Sequence, residues 1–253
     1  MLEGWLARGL EPRRVVVLDP NPAGALREKA EAVGFRLNPD LAAVEPPDVV
    51  VLGIKPQALG EVAPSIRGLV GPETLLVSIL AGKRVQDLSA ALPGARALVR
   101  AMPNLPASLG RGATGLFASD GVSPRQRELA EALLSAVGIV EWVADEELVD
   151  SVTAVSGSGP AYVFHLVECL AAAARDVGID GPVAERLARE TVIGAGQLLA
   201  ASDLEPGELR RNVTSPGGTT EAALQVLMGD AGLAGLMRET VLAAKRRAGE
   251  LSG

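Results

Sequence analysis

The chain has 253 residues, 48% hydrophobic and 22% charged, which is the composition of a globular protein with room for two domains. Its formal net charge of −7 disfavours nucleic acid as the main partner, because phosphate binding needs a basic face. One cysteine excludes an internal disulfide, and with one histidine there is no basis for a metal site or a Ser-His-Asp triad.

The N-terminal residues lack a basic run followed by an apolar stretch, so no secretion signal is indicated. No apolar run reaches the length of about 18 residues that a membrane span needs. We therefore expect a cytoplasmic protein that binds neither membrane nor nucleic acid.

The first half of the chain alternates short apolar runs with amphipathic stretches. RRVVVL precedes the turn DPNP and the helical stretch AGALREKAEAVGF, and further runs follow in PPDVVVLGIKP, ETLLVSILAG, ARALVRAMPN, ATGLFAS and GIVEWV. Such runs, separated by helices, predict a mostly parallel sheet covered on both faces. Residues 1–144 are therefore predicted to form an α/β, Rossmann-type dinucleotide-binding domain of the doubly wound class.

The second half, residues 145–253, is predicted to be all helical. A helix, a Gly-Pro interruption and a long Ala-rich helix are followed by a helix with Pro182 near its first turn, and GLAGLMRETVLAAKRRAGELSG closes the chain. The many alanines and glycines indicate close helix packing, including packing between subunits.

Polar and small residues at the predicted strand ends are candidates for cofactor binding. Asp19 suits a ribose hydroxyl and Asn21 a ribose or its phosphate, although DPNP is equally consistent with a simple turn. The other strand ends are also explained by a solvated lysine or a loop cap, but together they mark one sheet edge, where open α/β sheets bind ligands. These further candidates are Gly53, Ile54, Lys55, Pro56, Ala81, Gly82 and Asn104.

The segment AVSGSGPAY places small residues where a backbone can approach a ligand or another helix. Ser156 and Ser158 can donate hydrogen bonds there, but an N-cap role is favoured for Ser158. For His165, on the Ala- and Leu-rich helix that follows, a core or interface position is favoured over a catalytic one.

The stretch NVTSPGGTTEAAL joins a glycine turn to a helix beginning near Thr220. Gly217 and Gly218 can adopt backbone angles closed to other residues, and the amides beyond them form a helix N-terminus that suits a small carboxylate. Ser215, Thr219 and Thr220 add hydroxyls. A plain helix cap explains the same residues.

Four segments resemble the pyrroline-5-carboxylate reductases, which complete proline biosynthesis. They are GIKPQ, AMPNLP, SGSGPAY and VTSPGGTTEAAL, in the order and at spacings comparable to those of that family. The resemblance covers essentially the whole chain, and four co-linear motifs make it specific, whereas a lone Gly-Gly-Thr would not.

The resemblance implies hydride transfer from NADPH or NADH to the imine carbon of 1-pyrroline-5-carboxylate, giving L-proline without a metal. It implies that Thr220 donates a hydrogen bond to the imine nitrogen, and that the Ser215–Thr220 turn holds the substrate carboxylate. Ser156 and Ser158 are further candidates for substrate contacts. It also implies dimers through the helical domain, with the active site at the dimer interface and further assembly of dimers.

The chain departs from the family at two places. The family's first strand and its Gly-x-Gly-Asn-Met loop are not found, and Met1 falls where the methionine of that loop belongs. The missing strand is central in a doubly wound sheet, so its loss leaves two unpaired edges. In addition, Asp40 stands where the family often has an asparagine near the nicotinamide ribose.

Cofactor choice stays open, since Asp19 favours NADH while Asn21, Arg13 and Arg14 are compatible with the extra phosphate of NADPH. One rival is a dehydrogenase of the β-hydroxyacid type, which needs a catalytic lysine, but Lys245 lies far along the last helix. The other rival is an inactive, cofactor-poor oligomeric relic without the glycine loop.

A start site placed upstream of Met1 explains the missing strand and loop. We therefore expect the natively expressed protein to be heavier than the 26.0 kDa of this sequence. Intact-mass spectrometry checks this expectation, and a measured mass of 26.0 kDa would contradict it.

Overall fold

The structure, a computed structural model, describes residues 1–252. Its strands all lie before residue 143, within the part of the chain predicted to be α/β. The strands are β1 (Val16–Val17), β2 (Arg36–Leu37), β3 (Val49–Leu52), β4 (Leu75–Ser78), β5 (Ala97–Met102), β6 (Gly112–Ala118) and β7 (Gly138–Trp142). Six of them are the predicted apolar runs. The short strand β2 was not predicted.

Helices separate these strands and make up the described chain beyond β7. The helices are α1 (Leu2–Ala7), α2 (Gly24–Val33), α3 (Leu59–Ile66), α4 (Val85–Ala91), α5 (Pro124–Ser135), α6 (Leu148–Val152), α7 (Gly159–Asp176), α8 (Gly181–Ala201), α9 (Pro206–Asn212), α10 (Thr219–Leu227) and α11 (Leu233–Ser252). A π-helical segment, Thr153–Gly157, joins α6 to α7 at the predicted Gly-Pro interruption. Of the helices within residues 1–252, none is long and apolar enough to cross a membrane.

The strands form two sheets within the described residues, β1-β2 and β3-β4-β5-β6-β7. All neighbours are parallel except β5 and β6, which are antiparallel, so the prediction of a mostly parallel sheet is confirmed. No ladder joins β1 to β3 among residues 1–252, so β1 and β3 each have one unpaired edge.

Both faces of the larger sheet are covered by apolar packing, as in a doubly wound fold. Successive residues of β4 alternate, with Leu76 in one core cluster and Leu75 and Val77 in the other. The first cluster includes residues of α3 and α4, and the second includes Ala130 and Leu134 of α5. This alternation explains why the strands read as continuous apolar runs.

The first helix packs closely against α5 and the residues that directly follow it. A Cβ at Gly4 would lie 2.8 Å from Cγ1 of Val137, so only glycine fits there. The indole Nε1 of Trp5 donates to the carbonyl of Leu133 at 2.7 Å. The other tryptophan, Trp142, donates to a carboxylate oxygen of Glu131 on α5 at 3.1 Å.

A buried ion-pair network joins β5 to three other parts of the same unit. Arg100 is 5% exposed, and its Nη1 lies 2.9 Å from Oε1 of Glu146 and its Nη2 3.9 Å from Oδ1 of Asp150. The same oxygen of Glu146 accepts from the amide of Val85 at the start of α4, and Asp150 accepts from the hydroxyl of Ser252 at the end of α11.

The chain divides into two compact units, one of Met1–Gly157 with the end of the chain from Lys245, the other of Ser158–Ala244. In the second unit α7 packs along α8, and many large apolar side chains remain exposed. Examples are Phe164, Leu166, Leu170, Leu187, Leu198 and Leu236. The division of the domains at residues 144 and 145 stays a prediction.

The network around Arg100 predicts a large loss of stability when its cation is removed. Arg100→Met leaves two poorly exposed carboxylates without their partner, so the free energy of unfolding should fall by roughly 3 kcal/mol. Urea unfolding at fixed protein concentration measures the change.

The matched control is Arg14→Met, since Arg14 forms an ion pair with Asp48 in which both side chains are mostly exposed. That substitution should cost less than about 1 kcal/mol. Equal losses in the two variants would show that burial is not what makes the Arg100 network strong.

Candidate active site

The carboxyl ends of β3, β4 and β5 lie side by side, because these strands are parallel neighbours. Leu52 at the end of β3 is in register with Ser78, which is in register with Arg100. The structure therefore brings most of the predicted cofactor residues to one edge of the sheet. They are Gly53, Ile54, Lys55, Pro56, Ala81, Gly82 and Asn104.

The loop after β3 has the shape expected of a ligand-binding strand end. Gly53 is exposed, and a Cβ there would meet only Cδ1 of Ile79, at 3.9 Å, so the backbone is open to an approaching group. Ile54 packs partly into the core, whereas Lys55 is exposed. Pro56 begins the 3-10 turn that leads into α3.

Gly82, beyond β4, has a structural reason to be glycine. Its φ is +72°, and a Cβ would lie 2.6 Å from the carbonyl oxygen of Leu251 near the end of α11. The absence of a side chain at Gly82 therefore lets the end of α11 approach the backbone at this point. Ala81 beside it stays exposed and open to a ligand.

Asn104 uses its side-chain amide to tie three segments together. Its Nδ2 donates to the carbonyl of Ser156 at 3.1 Å, and its Oδ1 accepts from the amide of Ala113 at 2.9 Å. The structure thus places two predicted site residues, Asn104 and Ser156, in direct contact. The two alternatives for Asn104 were a hydrogen bond to a ligand and a cap of the loop. Its bonds to Ser156 and Ala113 are those of a residue that organises the loop.

At the end of β1, the carboxylate of Asp19 is partly engaged by its own turn. Its Oδ1 accepts from the amide of Asn21 at 2.9 Å. Asp40, after β2, caps the short 3-10 turn Leu41–Ala43 by accepting from the amide of Ala42 at 3.0 Å.

The groups at these strand ends fit a dinucleotide. The carboxylate of Asp19 suits ribose hydroxyls, the ammonium of Lys55 suits phosphate oxygens, and the open backbone at Gly53 admits a ligand closely. All ten predicted residues therefore remain our candidates for holding a nicotinamide cofactor. They are Asp19, Asn21, Asp40, Gly53, Ile54, Lys55, Pro56, Ala81, Gly82 and Asn104.

The segment from Thr153 to Gly157 is a π-helix, a form that recurs at functional sites. The hydroxyl of Ser156 donates to the carbonyl of Val152 at 3.1 Å. Ser158 occupies the N-cap of α7 but makes no side-chain cap, so the favoured capping role is wrong. Its φ of −86° and ψ of −21° are helical, whereas a capping side chain needs an extended backbone.

His165 does not occupy a core position. It is an exposed residue on α7, with its Nδ1 2.9 Å from a carboxylate oxygen of Glu168 and its Nε2 3.5 Å from Sγ of Cys169. Of the two predicted surroundings, the interface alternative is the one compatible with this exposure.

In the second unit, Ser215 to Gly218 form a tight turn that leads into α10. The amide of Gly218 donates to the carbonyl of Ser215 at 3.0 Å. Gly217 has a φ of +71°, as predicted for a glycine-dependent turn, whereas Gly218 has an ordinary φ of −86°. Gly218 is the N-cap residue and has no side chain, so α10 begins without a hydroxyl cap.

The hydroxyls of this turn are therefore not used as caps. Among residues 1–252, those of Ser215, Thr219 and Thr220 have no hydrogen-bond partner, whereas Thr214 and Thr240 each donate to a carbonyl four residues earlier. The amides of Thr219 and Thr220, in the first turn of α10, also have no intrahelical acceptor. These free donors converge on one helix N-terminus.

Glu221 supports the turn and was not identified from the sequence. Its Oε2 accepts from the amide of Gly217 at 2.7 Å, which holds the left-handed glycine over the start of α10. The sequence does contain a signal for this role of Glu221, because a glutamate three residues after an N-cap is the second half of a capping box.

Two family models match the chain. Residues 146–251 match pyrroline-5-carboxylate reductase dimerisation, and residues 1–82 match the NADP oxidoreductase, coenzyme F420-dependent, model. The first of these covers most of the helical half, and the second covers the strands β1 to β4.

Similar proteins extend the match over the whole chain. The pyrroline-5-carboxylate reductase of Pseudomonas aeruginosa is 42% identical, covering 100% of this chain and 92% of its own length. That of Synechocystis is 40% identical, with 99% and 94% covered. The solved reductase of Coxiella burnetii has a TM-score of 0.90 at 38% identity, with 100% and 93% covered. The chain belongs to the pyrroline-5-carboxylate reductase family.

Proposed function

We propose that this protein reduces 1-pyrroline-5-carboxylate to L-proline with NADPH or NADH, the last step of proline biosynthesis. The observation that carries the proposal is similarity along the entire chain, at 42% identity, to a pyrroline-5-carboxylate reductase. The inactive-relic alternative is not supported, and family membership removes the β-hydroxyacid dehydrogenase alternative.

The turn from Ser215 to Thr220 is proposed to hold the substrate carboxylate. The amides of Thr219 and Thr220 lie at the positive end of the α10 dipole, where a carboxylate is stabilised. The hydroxyl of Ser215 adds a donor, and Gly217 and Gly218 let the chain turn tightly enough for these groups to face one ligand. Ser156 and Ser158 remain candidates for further substrate contacts.

Thr220 is proposed to act on the imine nitrogen. When the imine carbon accepts hydride, the electron pair of the C=N bond moves to nitrogen, where a proton must arrive. A threonine hydroxyl is too weak an acid to protonate nitrogen outright, so Thr220 donates a hydrogen bond, orients the ring and relays a proton from water. Its hydroxyl is available for this role, since no described residue engages it.

The cofactor is proposed to lie along the strand ends of the first unit, near Asp19, Asn21, Asp40, Gly53 and Lys55. Bound NADPH or NADH supplies the hydride. The protein residues contribute by binding and orientation, which place the ring carbon for reaction and so account for much of the rate.

The protein forms homo-oligomers through its helical half, in agreement with the dimerisation model matched by residues 146–251. The exposed apolar side chains of α7 and α8 provide the surface for such contacts. We further propose that the dimers assemble into a larger homo-oligomer with no membrane or nucleic-acid partner. A cytoplasmic location is proposed because the reaction consumes a reduced nicotinamide cofactor, which cells hold in their interior.

Thr220→Ala should lower kcat for the imine about a hundredfold, the usual loss when one donor to developing charge is removed. The Kd for cofactor should stay unchanged, because Thr220 belongs to the substrate turn. Steady-state kinetics and fluorescence titration measure the two quantities.

Thr220→Ser, which keeps the hydroxyl, should recover most of the activity. Thr240→Val is the matched control, since the Thr240 hydroxyl is bonded within its own helix. An unchanged rate in Thr220→Ala would remove Thr220 from the mechanism.

Glu221→Ala should loosen the turn by removing the acceptor of the Gly217 amide. Exchange of that amide with solvent should accelerate about tenfold, as expected for the loss of one hydrogen bond to a charged group. Hydrogen-exchange NMR checks this in the protein without ligands. Glu221→Gln retains an oxygen acceptor, so its Gly217 amide should exchange at a rate between those of wild type and Glu221→Ala. Equal exchange rates in all three proteins would contradict the role of Glu221.

A further inference from the structure

Asn38, which follows β2, has a backbone conformation unlike that of its neighbours. Its φ is +48°, and among residues 1–252 no other residue except glycine has a positive φ. Asparagine tolerates this left-handed conformation better than most residues, but such a conformation persists only where surrounding contacts hold it.

The contacts that hold it are to the backbone of Asp19. The amide of Asp19 donates to Oδ1 of Asn38 at 2.8 Å, and Nδ2 of Asn38 donates to the carbonyl of Asp19 at 2.7 Å. The Asn38 side chain therefore pairs with both polar backbone groups of one residue.

These bonds continue the ladder between β1 and β2 after the backbone of β2 has turned away. The last backbone rung runs from the amide of Asn38 to the carbonyl of Val17 at 2.9 Å. In a parallel ladder the next rungs would use the carbonyl of Asn38 and the amide of residue 40. The side-chain amide of Asn38 replaces both groups, so the backbone of Asp19 is held as firmly as a strand residue.

The carboxylate of Asp19 is oriented as well. Oδ1 accepts from the amide of Asn21, which leaves Oδ2 without a partner among the described residues. A carboxylate fixed in this way accepts a hydrogen bond from a ribose hydroxyl and repels a phosphate on the same ribose.

No described arginine forms an ion pair with that carboxylate. Arg27 of α2 lies at the same turn, but its Nε donates to the carbonyl of Pro22 at 3.3 Å. Arg14 precedes β1 and forms an ion pair with Asp48, whereas Asp19 follows β1 at its other end. Arg14 is therefore engaged at the opposite end of β1 in this structure. The expectation that Arg13 and Arg14 accommodate an extra phosphate stays a prediction.

We propose that Asn38 is a positioning residue that fixes the Asp19 carboxylate, and that through this pair the protein binds NADH in preference to NADPH. The proposal rests on the proposed function and names the form of cofactor that the same site accepts. It assigns to Asn38 a role that its exposed position does not suggest.

The test compares the wild-type protein with the variant Asn38→Gly. Glycine keeps the left-handed backbone and removes only the side-chain amide, so the fold of the loop is not strained. Titration followed by nucleotide fluorescence gives the Kd for NADH and for NADPH in each protein. The wild type should favour NADH, and Asn38→Gly should reduce the ratio of the two constants about fivefold, mainly through weaker NADH binding.

Two further proteins sharpen the comparison. Asn38→Asp keeps the acceptor for the Asp19 amide but places a carboxylate oxygen against the Asp19 carbonyl, so it should reduce the ratio at least as much. Glu31→Gln, an exposed change on α2, should leave the ratio unchanged. In ligand-free protein, the Asp19 amide should exchange faster in Asn38→Gly than in wild type.

The outcomes separate this inference from the proposed function. A wild type that favours NADPH, or a ratio unaffected by Asn38→Gly, would overturn the role of Asn38 and leave imine reduction standing. A wild type that binds neither nucleotide would overturn both.

Discussion

The first unit depends on a buried cation, the guanidinium of Arg100. A guanidinium as buried as that of Arg100 is tolerated only when carboxylates surround it, and here they come from Glu146 and Asp150. The same carboxylates accept from Val85 at the start of α4 and from Ser252 at the end of α11. One charge on the central strand β5 thus sets the positions of two helix ends and of α6.

The ion-pair network also fixes the position of the strand end that leads into the predicted site. Two residues beyond Arg100 the strand ends at Met102, and Asn104 then reaches the π-helical segment through Ser156. Charges inside the unit join β5 to α6, and an amide at the sheet edge joins the loop after β5 to the π-helical segment after α6. Such double fixing gives a loop residue the rigidity that a binding site requires.

The sequence predicted the strands because each apolar run fills both faces of a covered sheet, as Leu75 and Leu76 illustrate. It did not reveal β2, since Arg36 and Leu37 form too short a run, or the reversed direction of β6, since an apolar run carries no direction. The turn at Gly217 was predicted because only glycine adopts its angles readily. The contacts of Asn104 and Asn38 join positions 52 and 19 residues apart, which local patterns do not show.

The scarcity of aromatic residues gives the molecule a selective optical property. Its two tryptophans, Trp5 and Trp142, both belong to the first unit, and each donates its indole hydrogen to a residue of α5. The ring of Trp142 also lies 4.5 Å beneath the guanidinium of Arg127 on the same helix. Intrinsic tryptophan emission therefore reports on the surroundings of α5 alone, and unfolding of the helical unit is silent at that wavelength unless it disturbs the first unit.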